Sequence, residues 1–356
     1  MGKHTTPDWT GHPLYVGIDV HQKSWKVSIH TATTEHHTFG QAPQGAPLSA
    51  YLARHFPSAT VQAVYEAGPG GFAPYRQLTA AGIPCIVVHP PDVPTTDKQR
   101  RRKTDRRDAR KLAHLLRAGH LTPITVPSPE READRSLLRL RQTLTKERTR
   151  IKNRIKSWCR IWDIPVPAGC RSPHWSQTAI ATFRTLTGPP ASALTVLTTL
   201  LDTLEALTTQ RSAVTQQITT LAQTSRYATE VTLLTSIPGI GVLSAMTWLT
   251  EVGPIDRFEH FDRLCSYVGL VPGERSSGES TTVTGLDHRG NPRVRTLLIQ
   301  NAWTAVRKDP ALLHCFEQLQ RRMPKQQAII RIARKLLRRI YRILRTGEPY
   351  VLGVVQ

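Results

Sequence analysis

Short apolar runs and longer amphipathic ones alternate along the first third of the chain. "LYVGIDV" (residues 14–20) is an apolar run that closes on an acid, and "SWKVSIHTA" follows it with alternating character. "PLSAYLARHF" then has helical spacing, "ATVQAVYEA" has the pattern of a strand ending at Glu66, and "GPGG" marks a turn. "APYRQLTAAG" suits a helix, "IPCIVVHP" a buried strand and "TDRRDARKLAHLLRAG" another helix. Strands that alternate with helices predict an α/β layer with a partly parallel sheet.

From about residue 129 the period becomes helical throughout. Leu137, Leu140, Leu144, Ile151, Ile155 and Trp158 recur at helical spacing, with basic residues elsewhere around the helix. After the breakers "IPVPAGC" and "TGPP", the series Leu200, Leu204, Leu207, Arg211, Val214, Ile218 and Leu221 forms a heptad seam with one polar position. That seam fits a coiled coil, an antiparallel helical pair or an ordinary packed helix. Further on, "SIPGIG" opens an apolar helix, as a phosphate-holding helix start or as a tight turn. In "QQAIIRIARKLLRRIYRIL" the stripe Ile329, Ile332, Leu336, Ile340 and Leu344 is expected to pack into a domain rather than onto a membrane. Between these two helical stretches lies "GERSSGES" (residues 273–280), whose Ser and Gly content alone predicts a solvated loop.

Charge narrows the function. Across 356 residues, 48 Lys and Arg face 26 Asp and Glu, a formal net charge of +22. Residues 98–111 hold nine basic residues, residues 135–160 ten and residues 321–345 ten, whereas residues 161–230 are neutral overall. Three cationic segments favour a nucleic acid as partner, with Arg101, Arg102, Lys103, Arg106 and Arg107 as contact candidates. The neutral middle suits protein–protein contact. No apolar run reaches the roughly 18 residues of a membrane helix, the N-terminus lacks a signal-peptide core, and five scattered cysteines show no zinc spacing. A reduced, cytoplasmic protein with no membrane partner is expected.

Four carboxylates carry the candidate chemistry. Asp19 and Glu66 end strands, and Asp105 and Asp108 lie three apart on one helix, so all four can meet at one edge of the sheet. Clustered carboxylates need cations, and hard oxygen donors select Mg²⁺ or Mn²⁺, which suit phosphodiester displacement. The plain alternatives are that Asp19 is a turn residue and that Asp105 and Asp108 pair with Arg101, Arg102 or Lys111 on their own helix. Around the serine stretch, Arg275, Arg289, Arg293 and Arg295 are candidates to stabilise charge on phosphorus.

"YVGIDVHQKSWKVSIH", "VYEAGPGGF" and "RKTDRRDARKLA" resemble the N-terminal domain of the insertion-sequence-110 family of transposases. That family includes the pilin-gene invertases and the bridge-RNA-guided recombinases. "SIPGIG", "SYVGLVP", "SSGES" and "RGNPRVR" resemble its C-terminal serine domain, in the same order. The resemblance implies an α/β RuvC-like (RNase H-like) domain over residues 12–128, a helical coiled-coil assembly region over 129–228, and a mainly α-helical serine domain over 229–350. It implies that Asp19, Glu66, Asp105 and Asp108 hold metal. It places the nucleophile at the serine before glycine, Ser277, with Ser276 and Ser280 as neighbours and Glu279 where other members often carry a smaller or basic residue. It further implies a covalent phosphoserine link to DNA, a dimer or tetramer, and targeting by a structured non-coding bridge RNA. The base for Ser277 stays open among His288, Glu274 and a metal-bound hydroxide from the carboxylate site. Two rival readings are a metal-dependent Holliday-junction or structure-selective nuclease that uses only the four carboxylates and water, and a non-catalytic nucleic-acid-binding protein.

Overall fold

In the first strand, side chains of alternating size and polarity face two different layers, and that division builds the domain. The computed structural model describes residues 8–96, 104–170, 175–277, 280–286 and 290–352. It divides into two compact units, Met1–Pro127 and Ser128–Gln356.

The first unit is a five-stranded mixed sheet. Its strands are β1 (Pro13–Val20), β2 (Trp25–His30), β3 (Glu35–Gln41), β4 (Thr60–Glu66) and β5 (Cys85–Val88), in the order β3-β2-β1-β4-β5. β1, β2 and β3 form an antiparallel meander, and β4 and β5 extend it in parallel with β1. The expected partly parallel sheet is therefore present. Leu14, Val16 and Ile18 of β1 and Ala63 and Tyr65 of β4 pack with Leu48 and Leu52 of α1 (Gly45–His55) and Leu78 of α2 (Ala73–Ala80). On the opposite face Tyr15, Val64, Ile86 and Val88 pack with Leu112, Leu115 and Leu116 of α3 (Asp105–Arg117). Each fully buried aliphatic side chain contributes about 1.5–3 kcal/mol, so the two layers lock the strand register.

The second unit begins with a long helical hairpin. Ser128 caps α4 (Pro129–Ile161) by accepting the Arg131 amide at 3.3 Å, with Pro129 at the first position and Glu130 and Glu132 in the first turn. α5 (Gln177–Arg184) and α6 (Ala191–Ala222) follow. Arg141 Nε donates to Thr215 Oγ1 at 2.9 Å and Arg148 Nε to Thr208 Oγ1 at 3.0 Å, so α4 and α6 run antiparallel. Of the readings open for the heptad seam, the antiparallel pair is the one formed: Leu204, Val214 and Ile218 are buried, and Leu207 and Leu221 pack at the edge. The reading of α4 needs correcting at two points. Leu140 is 47% exposed while Leu138 is buried, and Arg141 and Arg148 lie on the packing face rather than elsewhere around the helix. Their long stems run along the apolar seam, and their guanidinium groups find threonine hydroxyls on α6.

The remainder is a helical bundle of α7 (Ala228–Thr235), α8 (Val242–Val252), α9 (Phe261–Val268), α10 (Pro292–Ala305), α11 (Pro310–Gln320) and α12 (Lys325–Thr346). Ile329, Ile332, Leu336 and Ile340 of α12 are buried in its core, which answers the packing expectation for that stripe. Gly239 in "SIPGIG" has φ +91°, and a Cβ there would sit 2.8 Å from both the Ala305 amide and the Asn301 carbonyl oxygen of α10. Close helix packing thus accounts for that glycine. The loop expectation for "GERSSGES" is corrected over residues 273–277 and 280: β6 (Pro272–Ser277) and β7 (Ser280–Leu286) form an antiparallel pair. The physical reason is the β-branched run Thr281, Thr282 and Val283, which favours extended backbone. Among the described residues no helix is long and apolar enough to cross a membrane.

Candidate metal centre and nucleophile strand

Asp19 and Glu66 stand on neighbouring parallel strands. β1 and β4 pair Gly17 with Val64 and Ile18 with Tyr65, so Asp19 and Glu66 come next at the carboxyl ends of both strands. By the period of two, Asp19 shares a face with Tyr15 and Gly17, and Glu66 shares one with Val64; this is the face that α3 covers. The helix can reach it because residue 17 is glycine. A Cβ there would overlap the Ala109 carbonyl oxygen and the Ala113 amide and lie 3.1 Å from the Ala113 Cα. The close approach of α3 carries its first residue, Asp105, to the end of β1.

His21, one residue beyond β1, joins the two aspartates. Its Nε2 lies 3.2 Å from Asp19 Oδ2 and 3.7 Å from Asp105 Oδ2. One ligand atom from each of Asp19, His21 and Asp105 falls within 4.8 Å of the other two. Burial raises the Asp19 pKa above its ordinary 3.8; His21 pulls it down, and the negative charges of Asp105 and Asp108 push it up. The site therefore carries an electrostatic cost that a bound cation would relieve. Oxygen and imidazole donors gathered this closely at a sheet edge fit a divalent ion.

Glu66 is engaged differently. Its Oε1 lies 3.8 Å from Lys111 Nζ, and that ammonium also donates to Thr95 Oγ1 at 3.1 Å. Lys111 thus pairs with the strand acid rather than with the aspartates of its own helix. Sequence reasoning missed His21 as a member of the cluster, although the D-x-H spacing of "IDVHQ" was a signal: residues two apart on an extended chain share a face.

The other candidates divide by position. Arg106 and Arg107 are exposed in the first turn of α3 beside Asp105. Arg101, Arg102, Lys103, His288, Glu279 and Arg289 lie outside the described residues. Ser277 is the last residue of β6, paired with Ser280, and Arg275 pairs with Thr282 in the same ribbon. Arg293 and Arg295 sit in the first turn of α10, where Arg293 donates to Gln142 Oε1 and Arg295 Nη1 to the Gly269 carbonyl at 3.3 Å. Asn291 caps that helix, and its amide donates to the Tyr267 carbonyl at 2.7 Å, tying α10 to the end of α9.

A carboxylate cluster on a mixed sheet, in a polycation, is compatible with chemistry on nucleic-acid backbones, and the relatives of this chain give the class: they are described as transposases. Residues 16–160 match an Asp-Glu-Asp-Asp transposase domain model, and residues 231–316 match the model of the IS116/IS110/IS902 transposase family. A protein of Sinorhizobium fredii described as a transposase is 36% identical over 250 residues, 67% of this chain and 57% of the relative. A second S. fredii protein of the same description is 31% identical across 83% of this chain and 78% of its own length. The transposase for insertion sequence element IS1111A of Coxiella burnetii is 28% identical across 82% of this chain and 79% of its own. The chain belongs to the IS116/IS110/IS902 family of transposases, enzymes that cut DNA and transfer its strands.

Proposed function

We propose that the chain is the recombinase of an insertion sequence, in which a RuvC-like metal site acts with Ser277 on the same DNA. The observation that carries this reading is the meeting of Asp19 and Asp105, with Glu66 on the neighbouring strand and the charge of Asp108 felt at Asp19. The strand order, three antiparallel strands followed by two parallel ones, supports a RuvC-like (RNase H-like) fold for residues 12–128. The helical hairpin supports an assembly region over 129–228, and the bundle with its strand pair supports a serine domain over 229–350.

Asp19, Glu66, Asp105 and Asp108 hold Mg²⁺ or Mn²⁺, which when bound neutralises charge on the scissile phosphodiester. Ser277 Oγ loses its proton and forms a bond to phosphorus; the bond to the departing deoxyribose oxygen breaks, and that oxygen takes up a proton. A deoxyribose hydroxyl of another strand then attacks the phosphoserine and returns the serine hydroxyl, which completes strand transfer. Arg275, Arg289, Arg293 and Arg295 stabilise the charge that develops on the phosphoryl oxygens. Three cationic segments leave surface for a second polyanion besides DNA, in keeping with a structured bridge RNA, and the chain works in the cytoplasm as a homo-oligomer.

The test is to incubate the protein with DNA flanking its gene, Mg²⁺ and the element's non-coding RNA, then denature. DNA covalently attached at Ser277 is expected. Cleavage that leaves only free ends and survives Ser277→Ala would replace this reading with a metal-dependent nuclease. Full activity in both Asp19→Asn and Asp105→Asn would remove the metal site.

A further inference from the structure

We propose that His21 is a direct ligand of the divalent ion and biases the site toward Mn²⁺ over Mg²⁺; this rests on the metal-site reading above and deepens it. Among the described residues, the group whose ligand atoms all lie within 4.8 Å of one another is Asp19, His21 and Asp105. In octahedral coordination with bonds of about 2.1 Å, neighbouring ligand atoms lie about 3 Å apart. His21 Nε2 stands 3.2 Å from Asp19 Oδ2 and 3.7 Å from Asp105 Oδ2, so small rotations complete one triangular face around an ion.

Backbone geometry explains the placement. Asp19 lies in β1 and His21 follows Val20, so the two side chains leave an extended chain on the same side, toward the start of α3. Because the His21 side chain is 53% exposed, its replacement leaves the packed layers on both faces of the sheet untouched. An imidazole nitrogen binds transition-metal ions in preference to Mg²⁺, which favours oxygen donors and keeps its water. A mixed oxygen and nitrogen set therefore discriminates between two ions that an all-carboxylate set would treat alike. If His21 were only a positive partner for the two aspartates, its removal would free them for either ion, which is the opposite outcome.

The experiment uses the full-length chain, stripped of metal and titrated with Mn²⁺ alone, followed by electron paramagnetic resonance and by competition with Mg²⁺. The wild type should show ¹⁴N coupling from a bound imidazole. His21→Ala should lose that coupling and weaken Mn²⁺ binding about tenfold or more, with Mg²⁺ affinity changed less than about threefold. His21→Gln, with an amide oxygen of similar reach, should also lose the coupling while narrowing the gap between the two ions. Asp19→Asn should abolish binding of both. Mn²⁺ binding that depends on Asp19 but shows no ¹⁴N coupling and ignores His21→Ala would overturn the proposal and leave the metal centre standing. Tighter binding of both ions in His21→Ala would overturn it in favour of a competing cation. Binding indifferent to Asp19→Asn would remove the metal centre and this proposal together.

Discussion

Gly17→Ala probes whether the approach of α3 to β1 assembles the site. The added Cβ overlaps the Ala109 carbonyl oxygen and the Ala113 amide, and it lies 3.1 Å from the Ala113 Cα. These are backbone atoms of a packed helix, so no rotamer change relieves the contact. α3 must retreat by on the order of 1 Å, and overpacking of this kind costs about 1–3 kcal/mol. The same retreat draws Asp105 away from Asp19 and His21, and misplacement by about 1 Å at a reacting centre costs about a hundredfold in rate. Stability and metal affinity should therefore fall together. Thermal unfolding and Mn²⁺ titration of the purified chain read the two effects. An unchanged melting temperature with unchanged Mn²⁺ affinity would refute the view that this glycine positions the helix.

Three other outcomes follow from particular contacts. In the metal-free protein Asp19→Asn should raise stability at neutral pH, because a raised carboxyl pKa imposes a penalty that is absent below the ordinary 3.8 and complete above the folded value; unfolding curves from pH 3 to 8 check this. Asp309 is the reverse case. Burial works to raise its pKa, but donation from Tyr350 at 2.7 Å, from the Leu312 amide at 3.0 Å and from Arg339 at 2.5 Å more than reverses that, so the pKa lies below 3.8. Its stabilisation is present above pH 3.8 and is lost as pH falls through the folded value. Asp309→Asn should cost about 2–3 kcal/mol at neutral pH and flatten the acid limb of the stability profile. On α12, Arg331, Lys335 and Arg342 are exposed at a spacing that keeps them on one side. Replacing all three by Gln should shallow the slope of log Kobs for duplex DNA against log salt by about 2.7, from about 0.9 per phosphate contact, as measured by fluorescence anisotropy.

Local pattern carried much of the architecture. The apolar run "LYVGIDV" and the strand pattern of "ATVQAVYEA" could be read as strands because a strand covered on both faces is apolar nearly throughout, and the acids stood out where those runs end. Helical spacing gave α12 its buried stripe. Where the reading failed, the deciding contact came from far along the chain. Arg141 and Arg148 looked like solvent-facing charges, yet they lie on the seam because Thr215 and Thr208 of α6 accept from them. "GERSSGES" looked like a loop because its composition is that of turns, yet the backbone of residues 273–277 pairs with the threonine-rich strand over 280–286.

By itself, then, the chain specified the buried strands β1, β4 and β5 and the long helices, its cationic character, its family motifs and the four acids, since these depend on residue type and on spacing within a few residues. It did not specify which donors meet. That Asp19 meets Asp105 and His21, while Glu66 meets Lys111, was decided by α3 settling against Gly17, and ligand distances follow from how two packed backbones approach rather than from either one alone.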